Sequence, residues 1–242
     1  MTPLLDVRGA SKSYGGLAAN SDITFDAREG EIVGIIGPNG AGKSTLFDLI
    51  TGFQRADSGS VRFAGRDVTG LRPDRICALG VGRTFQKLKP FADLTVTENV
   101  MVGALARTHR MKEARDQALE ALSFVDLLEK RNHFARELST GQRKRLELAR
   151  AIATGPKLVL MDEVTGGVDQ RTIPGLVELV LSLKAKGLAV VTIEHNMAVM
   201  MKIADRILAL HAGRRIAFGT PAEVRADAGV VDAYLGTADH AA

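Results

Sequence analysis

Ile32-Val33-Gly34-Ile35-Ile36-Gly37-Pro38-Asn39-Gly40-Ala41-Gly42-Lys43-Ser44-Thr45 decides the reading of this chain. Its first five residues are apolar or glycine throughout, as in a strand buried on both faces of a parallel sheet. From Gly37 to Ser44 the order is Gly, four residues, then Gly-Lys-Ser, and Ser44 to Thr51 reads as a helix. Strand, glycine loop and helix in that order make a cradle for phosphate. The glycines let successive backbone N–H groups converge on phosphate oxygens, and the helix N-terminus adds positive potential. Lys43 suits the β- and γ-phosphates of a nucleoside triphosphate, the Ser44 hydroxyl suits Mg²⁺, and Thr45 adds a hydroxyl and an N–H. A chance glycine turn would lack the buried strand before it and the helix behind it. The run names the ligand class and leaves the reaction open.

A second run, Lys157-Leu158-Val159-Leu160-Met161-Asp162-Glu163, is an apolar strand that ends in two acids. Such a strand delivers both carboxylates to the carboxyl edge of the sheet, where ligands of α/β folds bind. Asp162 is the candidate holder of Mg²⁺, directly or through water, and Glu163 the candidate that polarises an attacking water.

Working outward, the first quarter reads as short strands at Leu4 to Val7, Ile23 to Phe25, Glu31 to Ile36 and Ser60 to Phe63, separated by turn residues. From Leu94 to about Pro156 the pattern becomes helical, with Ala114, Ala118, Ala121, Leu122, Val125 and Leu128 at helical spacing. Strand–helix alternation then resumes through Leu158 to Met161, Leu188 to Ile193 and Arg206 to Leu210. The expectation is an α/β fold with a parallel sheet and a helical insertion.

Composition narrows the class. The 242 residues are 25% charged and 45% hydrophobic, ordinary for a folded globular chain and unlike a disordered or fibrous one. A formal charge of +4 is too small and dispersed to argue for nucleic acid. Cys77 is the single cysteine, so no intrachain disulfide framework exists and a reducing compartment is natural. The apolar runs fall far short of the roughly 20 residues that cross a bilayer, and the start lacks signal-peptide features. A cytoplasmic, at most peripheral, protein is expected.

Leu138-Ser139-Thr140-Gly141-Gln142 reads as the opening of another helix, reaching about Ala153, with Ser139 as a good N-cap. Arg143, Lys144 and Arg145 crowd its first turns, where the helix dipole disfavours cations. An arriving triphosphate would ease that conflict; Glu147, four residues after Arg143, is an alternative partner.

Leu138 to Gln142 resembles the Leu-Ser-Gly-Gly-Gln signature of ABC ATPases, one helix upstream of the acidic strand end, as in that family. The resemblance extends to Tyr14, which matches the aromatic that stacks on adenine, to Gln86 in Arg83-Thr84-Phe85-Gln86, and to His195 after a buried strand. It implies a P-loop NTPase core of ABC ATPase type with an N-terminal antiparallel β subdomain. Residues 1–86 and 156–242 would form the nucleotide-binding core, and 87–155 an inserted helical signature subdomain. Six elements in order, spread over most of the chain, carry the resemblance. Gly82 to Gln86, Leu94-Thr95-Val96-Thr97-Glu98-Asn99-Val100 and the tail from Gly219-Thr220-Pro221 to Ala233-Tyr234-Leu235-Gly236 are similar to the ATPases of branched-chain amino acid importers.

That resemblance implies ATP hydrolysis with Mg²⁺, Lys43, Gln86, Glu163 and His195 being catalytic. Ser44, Gln86 and Asp162 would serve the metal. ATP would lie between the phosphate loop of one subunit and Ser139, Gly141 and Gln142 of a second ATPase subunit, identical or similar, with Asp169 in the adjoining loop. Transmembrane permease subunits, touched by Lys87 to Asn99, and indirectly a solute-binding protein outside the membrane would be the further partners. Thr140 and Val164 depart from the usual Gly and Pro of the family, but neither is a phosphate or metal ligand. A lipopolysaccharide-exporting ATPase has a similar tail. A DNA-repair ATPase would add coiled-coil or zinc insertions, which are missing, and the intact Lys43, Asp162, Glu163 and His195 argue against a non-catalytic cassette.

Overall fold

The computed structural model describes residues 2–85 and 89–235. In chain order the first part holds β1 (Leu5–Tyr14), β2 (Leu17–Ala27), β3 (Ile32–Ile36), α1 (Lys43–Thr51), β4 (Ser58–Phe63), β5 (Arg66–Asp67), α2 (Pro73–Ala78) and β6 (Val81–Arg83). Three helices follow, α3 (Val96–Ala104), α4 (Met111–Phe124) and α5 (Thr140–Ala153). The last part is β7 (Leu158–Asp162), α6 (Ile173–Ala185), β8 (Ala189–Ile193), α7 (Met197–Ile203), β9 (Arg206–His211), β10 (Arg214–Gly219), α8 (Pro221–Ala226) and α9 (Ala228–Leu235).

Two sheets result. One is antiparallel, in the order β2-β1-β4-β5; the other runs β10-β9-β3-β8-β7-β6, parallel except for the β9–β10 hairpin. The pleat sorts the apolar runs onto two faces. Leu158, Leu160, Val191 and Ile193 face the core shared with β1, β2, β4 and α1, whose Leu46, Phe47 and Ile50 fill it. Val159, Met161 and Val190 face the other way, onto α5 and α6. β7 up to Met161 and β8 apart from Thr192 are therefore apolar because both faces are covered.

The segment from α3 to α5 is the connection between β6 and β7, which are neighbours in the sheet. Its buried face comes from Val96, Val100, Ala114, Ala118, Leu122, Leu146 and Ala149. The helical spacing read from the sequence corresponds to α4 as far as Leu122, while Val125 caps that helix and Leu128 lies in a separate short turn beyond it. Thr95 and Glu98 close a capping box on α3, as do Ser139 and Gln142 on α5. β1 and β2 run well past the short strands read from sequence. Their outer halves carry polar residues and bulges, which break strict alternation.

Arg206, at the start of β9, ties the layers together. Its guanidinium donates to Asp26 Oδ2 at 2.9 Å and to Glu31 Oε1 at 2.5 Å, and lies 4.6 Å from the centre of the Phe218 ring. The hydrogen bonds to Glu31 and Asp26 push the Arg206 pKa up, and the Arg206 hydrogen bond holds the Asp26 carboxyl below its ordinary value.

Candidate nucleotide-binding and hydrolytic site

The phosphate loop leaves β3 between β2 and β9, and two glycines are required by that passage. Gly37 (φ 153°) would place a Cβ 2.3 Å from Leu210 O, and Gly42 (φ 96°) would place one 2.2 Å from Ala19 O. Gly42 is the N-cap of α1 and supplies no side chain, so no side-chain oxygen occupies the helix's leading N–H groups. Asn20, buried, donates to Gly42 O at 3.2 Å and fixes the loop's exit. The Lys43 ammonium turns back over the loop to Gly37 O at 2.6 Å and Pro38 O at 2.9 Å. Burial pushes the Lys43 pKa down, opposed by the charges of Glu163 and then Asp162.

A cavity of about 390 Å³ opens over this loop. Asn39 to Thr45 line its floor; Asp162, Glu163, Ile193 and His195 line one wall; Leu17, Ala18, Ala19 and Ala212 line the rest. The sequence reading thus placed the loop, both acids and the histidine on one cavity. It missed Leu17, Ala18, Ala19 and Ala212, whose apolar side chains carry no chemical signal.

Asp162 ends β7 buried, and its N–H donates to Thr84 Oγ1 at 3.3 Å. Burial is the main cause that raises its pKa; Arg83 opposes, and the Glu163 charge adds to the rise. Glu163 adopts φ 53°, a left-handed conformation rare for a residue with a Cβ. Its carboxylate reaches His195 Nε2 at 2.8 Å, and its N–H donates to Ile193 O at 2.9 Å. Next to His195, the buried Glu194 accepts from Thr165 N at 3.1 Å and Thr165 Oγ1 at 2.6 Å. Burial raises the Glu194 pKa, chiefly against the Thr165 hydrogen bonds.

The signature helix behaves differently from the sequence expectation. Arg143 donates to Arg136 O at 2.9 Å, Lys144 to Glu163 O at 2.5 Å and Arg145 to Val125 O at 2.8 Å. Each cation is therefore engaged by a backbone carbonyl, Arg143 and Arg145 by earlier ones and Lys144 by a later one. Glu147 pairs with Arg150 at 3.0 Å and accepts the Phe85 N–H, so it is no partner of Arg143. Burial dominates the upward shift of the Glu147 pKa.

Ser139, Gly141 and Gln142 stand outside the cavity, with Ser139 exposed. Gly141 packs on Thr172, whose Cγ2 would lie 2.8 Å from an added Cβ. Thr172 is in turn held by Asp169, through N–H to Oδ1 at 3.0 Å and Oγ1 to Oδ2 at 2.8 Å. Tyr14 is half-exposed on the β1–β2 hairpin beneath Lys12, 5.6 Å from its ring centre, beside the cavity and not in its lining. Gln86 lies outside the described residues, as do Lys87 and Leu88.

A larger groove of about 810 Å³ runs between the α1–β6 side and helices α3 and α5. Phe53, Phe85 and Val102 expose apolar surface there, and Arg83 lies under it among the rings of Phe47, Phe53 and Phe85. Ser44 and Asp162 line both the groove and the smaller cavity, so the two spaces meet at those side chains.

Two family models match. The ABC transporter model covers residues 20–166, and a branched-chain amino acid ATP-binding cassette transporter model covers residues 214–240. The chain is 37% identical to the high-affinity branched-chain amino acid transport ATP-binding protein LivG of Salmonella typhimurium, over 98% of this chain and 99% of that one. It is 34% identical to the lipopolysaccharide export system ATP-binding protein LptB of Haemophilus influenzae, over 96% and 97%. The crystal structure of the ADP conformation of MJ1267, an ATP-binding cassette of an ABC transporter, superposes with a TM-score of 0.88 at 32% identity, covering 98% of this chain and all of that one. With the loop, the acidic strand end and the histidine on one cavity and these likenesses along the whole length, the chain belongs to the ABC transporter family of ATP-binding cassettes.

Proposed function

We propose that this chain is the ATP-hydrolysing subunit of an ABC importer for branched-chain amino acids or related small solutes. It works at the cytoplasmic face of a membrane, peripherally, with separate permease subunits. The observation that carries the reading is the convergence of Lys43, Ser44, Asp162, Glu163 and His195 on one cavity. The branched-chain match at residues 214–240 favours import over lipopolysaccharide export.

ATP fits the cavity by its donors. The loop amides from Gly37 to Thr45 and the uncapped start of α1 meet the phosphates, Lys43 moves from the loop carbonyls to the β- and γ-oxygens, and Tyr14 flanks the adenine. Mg²⁺ fits as well, because the hydroxyl of Ser44 and the carboxylate of Asp162 are hard oxygen donors on the same cavity. These two, with Gln86, would hold the ion, which when bound neutralises charge on the phosphates. Glu163 polarises the attacking water, and His195, held by the Glu163 carboxylate, orients toward the γ-phosphate. Removing such a base costs about 10²- to 10⁴-fold in rate.

Ser139, Gly141 and Gln142 open α5 away from their own cavity, as suits a second copy or a similar ATPase subunit that offers ATP across a dimer interface. Asp169 sets the adjoining loop through Thr172. Residues 1–86 with 156–242 act as the nucleotide-binding core, and 87–155 as the helical signature part. The segment Lys87 to Asn99 contacts the permease, one of whose helices enters the large groove that Lys89 lines, and the groove's shared wall at Ser44 and Asp162 lets docking sense the nucleotide. A solute-binding protein acts only through the permease.

The test is Glu163→Gln in the purified full chain. ATP binding persists while turnover falls by the factor above, and the wild-type chain co-purifies with a permease of the amino acid importer type. Undiminished turnover of the variant overturns the assigned role, and capture of a lipopolysaccharide-export permease instead reassigns the pathway.

A further inference from the structure

Glu163 holds a conformation that its own backbone disfavours. Left-handed φ costs a residue with a Cβ about 1–2 kcal/mol, and such strain persists where the surroundings over-determine it. Here the peptide is gripped from both sides. The N–H of Glu163 donates to Ile193 O at 2.9 Å, and its carbonyl accepts from Gly166 N at 3.1 Å and from Lys144 Nζ at 2.5 Å. The Lys144 bond is the unusual member. Lys144 is buried on α5, a helix whose N-terminus faces outward, and lysine is seldom buried without strong cause. Burial pushes its pKa down, against the attraction of Glu194 and then of Glu163, Asp162 and Glu147. Glu194 is itself buried and clasped by Thr165, two residues beyond Glu163, and stands beside His195.

We propose that Lys144 is a positioning residue for hydrolysis, which pins the backbone carbonyl of Glu163 from the signature helix. The proposal rests on the role assigned to Glu163 above and adds a regulation of that site. Lys144 lies five residues beyond the N-cap Ser139, in the second turn of α5. When a neighbouring subunit's triphosphate seats the tip of α5, the ammonium presses the Glu163 peptide into its left-handed form and the carboxylate faces His195. When α5 swings away, that grip loosens and the base loses its aim. Hydrolysis at one nucleotide then depends on the other through a single side chain.

Lys144→Met in the full chain tests this. A misplaced catalytic group costs on the order of 10²-fold, so kcat is expected to fall by about that factor while KM for ATP stays within about twofold. Lys144→Arg, which keeps donor and charge, restores most of kcat. Lys144→Met with Glu194→Gln removes the stranded buried carboxylate, so it folds even where the single variant does not, and it remains slow. Normal kcat in Lys144→Met, or recovery of kcat in the double variant, overturns the proposal. A parallel Glu163→Gln measurement separates the two ideas: a slow Glu163→Gln beside a normal Lys144→Met defeats only the role of Lys144, whereas a fast Glu163→Gln defeats the hydrolytic reading itself.

Discussion

Gly141→Ala is the substitution whose outcome the packing defines best. The new methyl carbon would sit 2.8 Å from Thr172 Cγ2, while Thr172 Oγ1 and Cβ lie at 3.6 and 3.7 Å, ordinary contact distances. Thr172 has no easy retreat, because turning its side chain breaks the 2.8 Å bond from Oγ1 to Asp169. Overpacking by one methyl in a constrained place costs about 1–3 kcal/mol. Alanine's better helix propensity returns a part of its interior advantage of about 1 kcal/mol, since the position is in the first turn. A net loss of about 1–2 kcal/mol follows, which for a chain of this size lowers Tm by about 2–8 °C. Thr172→Ser deletes the offending methyl and keeps the hydroxyl on Asp169. Gly141→Ala combined with Thr172→Ser should therefore melt like the wild type. Thermal unfolding without nucleotide reads this directly, since no partner subunit or ATP enters the measurement. Equal destabilisation of the single and double variants would refute the contact as the cause.

Two further perturbations follow from the same reasoning. Arg206→Met strands Asp26 and Glu31 in a mostly buried setting, where loss of one partner costs about 3–5 kcal/mol, and the partial exposure of Arg206 sets the lower end. Because Arg206 depresses the folded-state pKa of Asp26, the stabilisation is fully present above the ordinary carboxylate pKa of 3.8 and is lost as pH falls through the lower folded value. Urea titrations should thus show stability falling more steeply in wild type than in Arg206→Met once the pH drops below about 4; parallel curves there would exclude the pairing as the source. Glu163→Gly removes the penalty of φ 53° along with the carboxylate, so hydrolysis is lost while the unfolding free energy stays level or rises by up to about 1 kcal/mol. A clear loss of stability would mean that the left-handed peptide is not strained.

What the sequence disclosed was local. Gly37 to Thr45 is one continuous piece of chain, and its chemistry travels with its order. Asp162 and Glu163 were visible because an apolar run pointed at them. The N-cap role of Ser139 was legible for the same reason, and Gln142 closes it within a single turn. The contacts that set the fine geometry join distant segments. Lys144 reaches Glu163 across 19 positions, and Arg145 reaches Val125 across 20. Nothing in Arg143-Lys144-Arg145 announces which carbonyl each will find, so the excess charge looked like a binding site when it is internal bracing. The groove was equally hidden, since Phe53, Phe85 and Val102 come together only when α3 packs on α5 and α5 on β6.

The amine of Lys43, seated on Gly37 O and Pro38 O, acts as an internal competitor for whatever enters the loop. An ammonium has three N–H donors and two are spent on these carbonyls, so beyond the third donor each oxygen it takes up displaces one it already holds, and affinity is in part a difference between two sets of acceptors. The same exchange run backwards eases departure: a leaving product hands the amine to carbonyls within reach instead of abandoning a buried cation. A loop arranged in this way trades tightness for release, which is what a repeating cycle demands of it.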